Sequence, residues 1–401
     1  MARPKLMLLG GLRYLLPVID AAHAQGCEVI TCDYLPDNIA HRHADHYDNV
    51  SIVDREAVLA LARKRHIDGI LSFAVDPGVV TAAYVAEQLG LPSAGSYEAV
   101  RTLQNKDLFR KFLTDNGFNC PVSGGYESLE ALKSDLHRFR YPLIVKPTDA
   151  AGSKGVTRVD AEEQLPEAFR HALDHARGGR VIVEEFIEKL GCSSDSDCFS
   201  VDGRLVVATF SAQRFDNEAE NPYTPSAYSW PSTFTPAQEA ELRSELQRLI
   251  TLLGLGTSVY NVETRIGTDG KPYIMEVSPR GGGNRLSEMI RHATGTDLVT
   301  AAVRAAVGLP VGPLEQRPLQ GHWAEIILHA EQEGRFRELR MDASLQRCVV
   351  ETDLWVAPGE PVHPFRAAND AIGTLVLRFD TAGELEQVLA APSRRLHILT
   401  E

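Results

Sequence analysis

The sequence predicts a multidomain protein of α/β and α+β class, with a parallel-sheet N-terminal domain, an antiparallel middle and a small β-rich C-terminal unit. Three observations predict it. Strand-like and helix-like segments alternate over residues 1–100, the rhythm of an open parallel sheet covered by helices. Short apolar strands and turn residues replace that rhythm from about residue 140. Pro310, Pro313 and Pro318 then precede a tail of strand-like segments.

In order, Lys5–Leu9 reads as a strand, Leu15–Gln25 as a helix and Glu28–Cys32 as a strand. Arg55–Lys64 reads as a helix, Gly69–Phe73 as a strand, and Val79–Leu89 as a helix after the Pro77-Gly78 punctuation. One helix is expected over 98–116. Tyr141–Lys146 and Val156–Val159 read as strands around a glycine-containing turn, followed by a helix at Glu162–Ala176 and an apolar strand at Arg180–Phe186. Cys198–Val201 and Leu205–Phe210 form a hairpin about Asp202-Gly203. Residues 211–236 are rich in Asn, Pro, Ser, Tyr and acids, which predicts a long substrate lid or surface loop. Helices follow at Pro236–Leu253, Asn284–Ala293, Asp297–Val307 and Ala382–Ala390, with a hairpin at Val259–Ser278.

Composition narrows the classes. The 401 residues are 44% hydrophobic and 24% charged, so the chain can bury a core. Its 54 acids exceed its 41 Lys and Arg for a net charge of −13, which argues against a nucleic-acid partner. No apolar run is long enough to span a membrane. Arg3 and Lys5 before Leu6–Leu12, with Ala22-His23-Ala24 after, hint at a signal peptide; Gly10, Gly11 and Arg13 interrupt that run, so a buried strand is the better reading. Six scattered cysteines without a C-x-x-C pair suggest free thiols and a cytoplasmic location. His41, His43 and His46 read as a solvated loop.

The segment Val259–Arg280 carries the most information. A turn centred on Asp269-Gly270 pairs Thr268 with Lys271, Glu263 with Glu276 and Asn261 with Ser278, and the last two pairs share one face with Arg265. Two carboxylates across a ladder at ~5 Å repel by roughly 3 kcal/mol at an effective dielectric near 20. A divalent cation reverses that sign, and Mg²⁺ is commonly held by carboxylates plus phosphates. A second segment ends a strand at Lys146-Pro147 and continues through Asp149-Ala150-Ala151-Gly152-Ser153-Lys154-Gly155. Its glycines let backbone N–H groups approach phosphate oxygens. It fails the P-loop pattern and precedes a strand. The third segment, Val181–Glu188, is an apolar strand running into acids, suited to an adenine pocket.

The order of these segments over about 100–310 resembles the ATP-grasp superfamily, and the chain looks like its carboxylate–amine ligase branch, similar to L-amino-acid ligases and carbamoyl-phosphate-synthetase-like proteins. The resemblance implies an ATP-grasp fold behind an N-terminal parallel-sheet, Rossmann-like domain at 1–100. The two halves would be 101–186, with the flap, and 187–312, with the metal hairpin; 313–401 would be the C-terminal subdomain. It implies ATP contacts from Lys106, Lys146, the flap residues Gly152, Ser153, Lys154 and Gly155, and the hinge residues Glu184, Glu185 and Ile187. It implies Mg²⁺, or Mn²⁺ in its place, on Glu263 and Glu276, with Ser278 where the family has a ligating Asn. Arg280 matches the arginine that stabilises an acyl phosphate. After the hinge the family has G-x-E-x-S-x-D; Gly191–Asp197 reads GCSSDSD, keeping Asp197 as a substrate candidate.

The implied activity joins a carboxylate (an amino acid or small organic acid) to an amine through an acyl phosphate, releasing ADP and phosphate. Arg280-Gly281-Gly282-Gly283-Asn284-Arg285 runs into an expected helix start, an anion site in which Arg285 is a second carboxylate contact and Asn284 a substrate contact. Asp216, Glu218 and Glu220 in the long loop favour a cationic amine. The expected partners are small molecules, with neither nucleic acid nor membrane, and a homodimer is compatible with the sequence. Two rival readings are an NAD-dependent oxidoreductase, from Gly10-Gly11 and Asp33, and a non-catalytic ATP-binding protein, from Ser278.

Overall fold

The computed structural model describes residues 3–150, 154–216, 220–221 and 224–401. Near the N-terminus a parallel sheet runs in the order His46–Asp48, Glu28–Cys32, Lys5–Leu9, Gly69–Ser72. Leu6–Leu9 are wholly buried, as a central parallel strand requires. Helices Leu16–Ala24, Arg55–Arg65 and Asp76–Leu89 pack around it. The last begins at Asp76 rather than Val79, because Pro77 fits a first turn, where no backbone donor is needed.

The turn after Lys5–Leu9 does not suit a dinucleotide. A Cβ on Gly11 would meet His41 at 2.5 Å and Asn38 at 2.6 Å, so that ground is occupied. Asp33 is buried and accepts from the Asn38 amide at 2.9 Å. His41 contacts the Thr31 hydroxyl at 2.9 Å and stacks on Tyr47, a packed position rather than a solvated one.

The expected helix over 98–116 is two helices, Tyr97–Gln104 and Lys106–Asp115. Asn105 breaks it: its backbone is extended and its side chain accepts from the N–H groups of Asp107 and Leu108. That cap sets Lys106 on a first turn.

Two antiparallel four-stranded sheets follow. One runs Ser123–Tyr126, Val181–Glu185, Leu143–Pro147, Thr157–Val159. The other runs Arg204–Ala208, Ser194–Val201, Ser258–Ile266, Pro272–Ser278, and helix Pro236–Leu252 packs its Leu242, Leu246, Leu249 and Ile250 into the core shared with it. Asp202 and Gly203, both at positive φ, close the predicted two-residue hairpin.

The long loop expected over 211–236 contains two strands, Ala212–Phe215 and Pro225–Trp230. Pro225–Trp230 pairs with His322–Leu328 in a five-stranded sheet completed by Gly373–Phe379 and Val349–Leu354. The strand is covered on both faces, by Ala227 on one and by Tyr228 and Trp230 on the other, and the surrounding Pro and Ser obscure it in the sequence. A three-stranded sheet of Pro361–Val362, Gly334–Met341 and Leu396–Thr400 completes the tail. No helix among the described residues is long and apolar enough to cross a membrane.

Candidate active site

A cleft of about 410 Å³ lies between the two four-stranded sheets. Its lining includes apolar side chains, Ile144, Val156, Phe186, Ile187 and Met275. Its lining also includes the charged side chains Lys106, Lys146, Lys154, Glu263, Glu276 and Arg280. Glu184, Glu185 and Asn284 also reach its wall. Gly152 and Ser153 lie outside the described residues. Gly155 sits at φ +71, where a Cβ would come within 2.9 Å of both His175 and Pro147.

Glu263 lies directly opposite Glu276, and Asn261 opposite Ser278. The turn does not follow the expected register. Gly267 N–H bonds Lys271 C=O at 2.9 Å, and Thr264 faces Ile274, so Thr268 does not pair with Lys271. A bulge between Glu263 and Thr264 restores the pairing toward the glutamates. Glu276 lies 3.4 Å from Lys106 Nζ, and Glu263 lies 3.2 Å from Arg265. Lys106 also donates to Ala150 C=O at 3.1 Å. Burial opposes its charge, but Glu276 and Asp76 outweigh that and hold the ammonium above its usual range. Two facing carboxylates, both partly exposed in the cleft, are a donor set that fits Mg²⁺.

Ser278 is not disposed as a metal ligand. It is buried, accepts from Gln104 at 2.8 Å and donates to Asp76 at 3.0 Å. Asp76 was missed in the sequence, where Asp76-Pro77-Gly78 looked like turn punctuation. Its carboxylate takes Arg280 Nε at 2.8 Å and Nη2 at 2.9 Å. Burial alone would raise the Asp76 carboxyl; Arg280 overrides it and holds it below the usual range. The N-terminal sheet region thus orients the guanidinium, which leaves two N–H bonds free once Gly281 C=O is counted.

Lys146 and Glu184 form a buried pair, and Arg110 Nε meets the same carboxylate at 2.9 Å. Glu184 therefore holds the lysine rather than offering its side chain to a nucleotide. Burial would raise it, yet Arg110 and Lys146 bring it down to about 2. Lys146 is held below its usual range by burial, with Arg110 and Lys106 contributing. Arg110 carried no sequence signal beyond its place on a helix. The Glu185 carboxylate accepts from the Arg140 backbone at 2.8 Å, and Ile187 C=O from Arg265 at 3.3 Å.

Four candidates, Asp197, Arg285, Asp216 and Glu220, stand away from the cleft. Asp197 is fully buried, taking the Gly282 N–H at 2.8 Å and the Ser287 hydroxyl, so it anchors the glycine loop instead of touching substrate. Arg285 is bound by Glu288 and Glu351 beside Tyr14 and Trp355, which makes it a structural ion pair. Neither Asn284 nor Arg285 is helical: both have positive φ, and the helix is Leu286–Thr294. In the long loop Asp216 contacts His329 and Glu220 contacts Arg366, toward the C-terminal tail; Glu218 lies outside the described residues.

Asp195 was passed over in the sequence, two residues before Asp197. It lines the cleft and faces Glu263 across the neighbouring strand. Burial and the Glu263 charge push it up to about 7. The only sequence signal was its place at the Ser of the G-x-E-x-S-x-D pattern.

Residues 139–288 match the ATP-grasp domain family, and 326–401 match L-amino acid ligase C-terminal domain 2. A formate-dependent phosphoribosylglycinamide formyltransferase of Synechococcus sp. (strain WH7803) is 26% identical over 92% of both chains. Carnosine synthase 1 of Homo sapiens is 30% identical over 68% of this chain, which spans 34% of that protein. Among solved structures, L-amino acid ligase from Bacillus licheniformis superposes with a TM-score of 0.81 at 21% identity, covering 100% of both chains. Phosphoribosylglycinamide synthetase from Anaerococcus prevotii does so with 0.79 at 19%, again over 100% of both. By these matches, the chain carries an ATP-grasp domain and an L-amino acid ligase C-terminal domain 2, is similar to carboxylate–amine ligases, and is an ATP-dependent enzyme that forms C–N bonds.

Proposed function

We propose that the protein joins a small carboxylate, an amino acid or simple organic acid, to an amine through an acyl phosphate. The observation that carries this reading is that Lys106, Lys146, Glu263, Glu276 and Arg280 line one cleft together with the apolar Ile144, Val156, Phe186, Ile187 and Met275. The apolar side chains accommodate the adenine, and the lysines hold the phosphates in line. A carboxylate oxygen attacks the γ-phosphorus as the bond to the ADP oxygen breaks. The amine nitrogen then attacks the acyl carbon, the carbon–oxygen bond to phosphate breaks, and the nitrogen loses a proton. Arg280, oriented by Asp76, faces the negative charge that develops on the acyl oxygens. Glu263 and Glu276 would hold Mg²⁺, or Mn²⁺ in its place, which neutralises phosphate charge when bound. Lys154 and Gly155 belong to the flap that closes over the phosphates. The formyltransferase, carnosine synthase and amino acid ligase relatives support a small-molecule carboxylate and amine. Chromatography of the nucleotide products tests the route: ADP with phosphate is expected, and AMP with pyrophosphate excludes an acyl phosphate.

A further inference from the structure

Three acids, Asp195, Glu263 and Glu276, form one row across neighbouring strands. Their partners differ. Glu276 has Lys106 and Glu263 has Arg265. Asp195 receives only neutral donors: the Asn261 amide at 2.7 Å on one oxygen and the Tyr228 hydroxyl at 3.3 Å on the other. Among the described residues no Lys, Arg or His nitrogen lies within 4.0 Å of it.

The donors are themselves fixed in direction. The Tyr14 hydroxyl donates to Asn284 Oδ1 at 3.0 Å, and Asn284 Nδ2 donates to the Tyr228 oxygen at 3.2 Å. The Tyr228 hydroxyl is thereby left to donate to Asp195. This chain holds Asp195 as an acceptor, with two of its roughly four lone-pair positions still open. Arg280 and Asn284 line the same cleft. A cation receptor and an anion receptor therefore line one cleft, near enough to feel each other's charge, and among the described residues Arg280 has two N–H bonds left.

We propose that Asp195 receives a cationic nitrogen of the carboxylate substrate while Arg280 receives its carboxylate, so that the acid activated is an amino acid rather than formate, bicarbonate or a plain fatty acid. This rests on the acyl-phosphate reading above. An amino acid carries both charges on neighbouring atoms and satisfies both receptors at once. A des-amino acid leaves the open acceptor positions of Asp195 without a donor, which a site of this kind penalises. Asp195 thus sets which acid is used.

Hydroxylamine trapping tests this without knowledge of the natural amine. The full chain is given MgATP, hydroxylamine and a panel of amino acids, each beside its des-amino counterpart (alanine with propionate, for example). Wild type is expected to form hydroxamate from an amino acid in preference to its counterpart. Asp195→Asn and Asp195→Ser should raise the KM for that amino acid by at least about tenfold, while the KM for ATP and the Mg²⁺ midpoint stay within about twofold of wild type. Equal use of both acids by wild type overturns the proposal. So does an unchanged amino-acid KM in the variants, or a changed Mg²⁺ midpoint, which would make Asp195 a metal ligand. A loss shared equally by all acids, with a lowered melting temperature, would make it structural and also overturns the proposal. Absence of hydroxamate from every acid refutes the acyl-phosphate reading itself, and this inference with it.

Discussion

Replacing Glu184 by Gln removes one negative charge from between two buried cations. Glu184 is 3% exposed and Arg110 2%, and both Arg110 and Lys146 contact its carboxylate. Two routes give the expected cost. Displacement of the Glu184 carboxyl from 4.5 to about 2 amounts to about 3 kcal/mol, at about 1.4 kcal/mol for each tenfold change in proton affinity. Breaking a buried pair by removing one partner typically costs about 3–5 kcal/mol. The lower figure is the better expectation, because Lys146 already sits below its usual range and can shed its proton. The sign with pH follows. A carboxyl lowered on folding stabilises fully above about 4.5, and that contribution fades as pH falls toward about 2. Urea unfolding of both proteins should therefore show a gap of about 3 kcal/mol at pH 7 that narrows below pH 4.5. The KM for ATP should also rise, since Lys146 loses the group that aims it. A gap under about 1 kcal/mol at pH 7, or one independent of pH down to 3, would refute the reasoning.

Glu276→Ala should abolish ATP turnover without loss of fold, measured by phosphate release beside circular dichroism; normal turnover would remove the metal assignment. Asp76→Asn keeps one acceptor for Arg280 but loses the charge and the bidentate fit. Its kcat should fall about 10–100-fold with little change in the KM for ATP, and a rise in that KM alone would place Asp76 on nucleotide binding. Gly155→Ala forces a side chain into φ +71 against His175 and Pro147. It should cost about 1–3 kcal/mol, read as a lowered melting temperature, and an unchanged value would show the turn is adaptable.

The glutamate pair was legible because strand alternation and a turn signal fix which residues face each other. The pairing survived a wrong turn register: a bulge between Glu263 and Thr264 compensates for the displaced turn. Asp76, Arg110 and Tyr228 were not legible, since each reaches the cleft region from a distant part of the chain. Asp76 meets Arg280 across 204 residues, and no local pattern encodes that contact. Asp197 and Arg285 misled for a related reason. Their residue types suit substrate binding, but whether such a side chain points into a cleft or into a core depends on packing. The pair of strands within 211–236 was hidden because strand formers lie between prolines and serines, and their partner strand lies about a hundred residues on.

The strand Pro225–Trp230 is hydrogen-bonded to His322–Leu328, so the tail is stitched into the body of the protein rather than hung from it. A chain cut at residue 312, where the prolines invite a boundary, would strip away that partner. It would leave a raw sheet margin of open amides and carbonyls beside Tyr228 and Trp230, both now wholly or almost wholly covered. Such a fragment would clump rather than behave as a minimal enzyme. It would also misplace the Tyr228 hydroxyl that reaches Asp195. Modular swapping of the tail among relatives therefore has to carry residues 212–230 along with it.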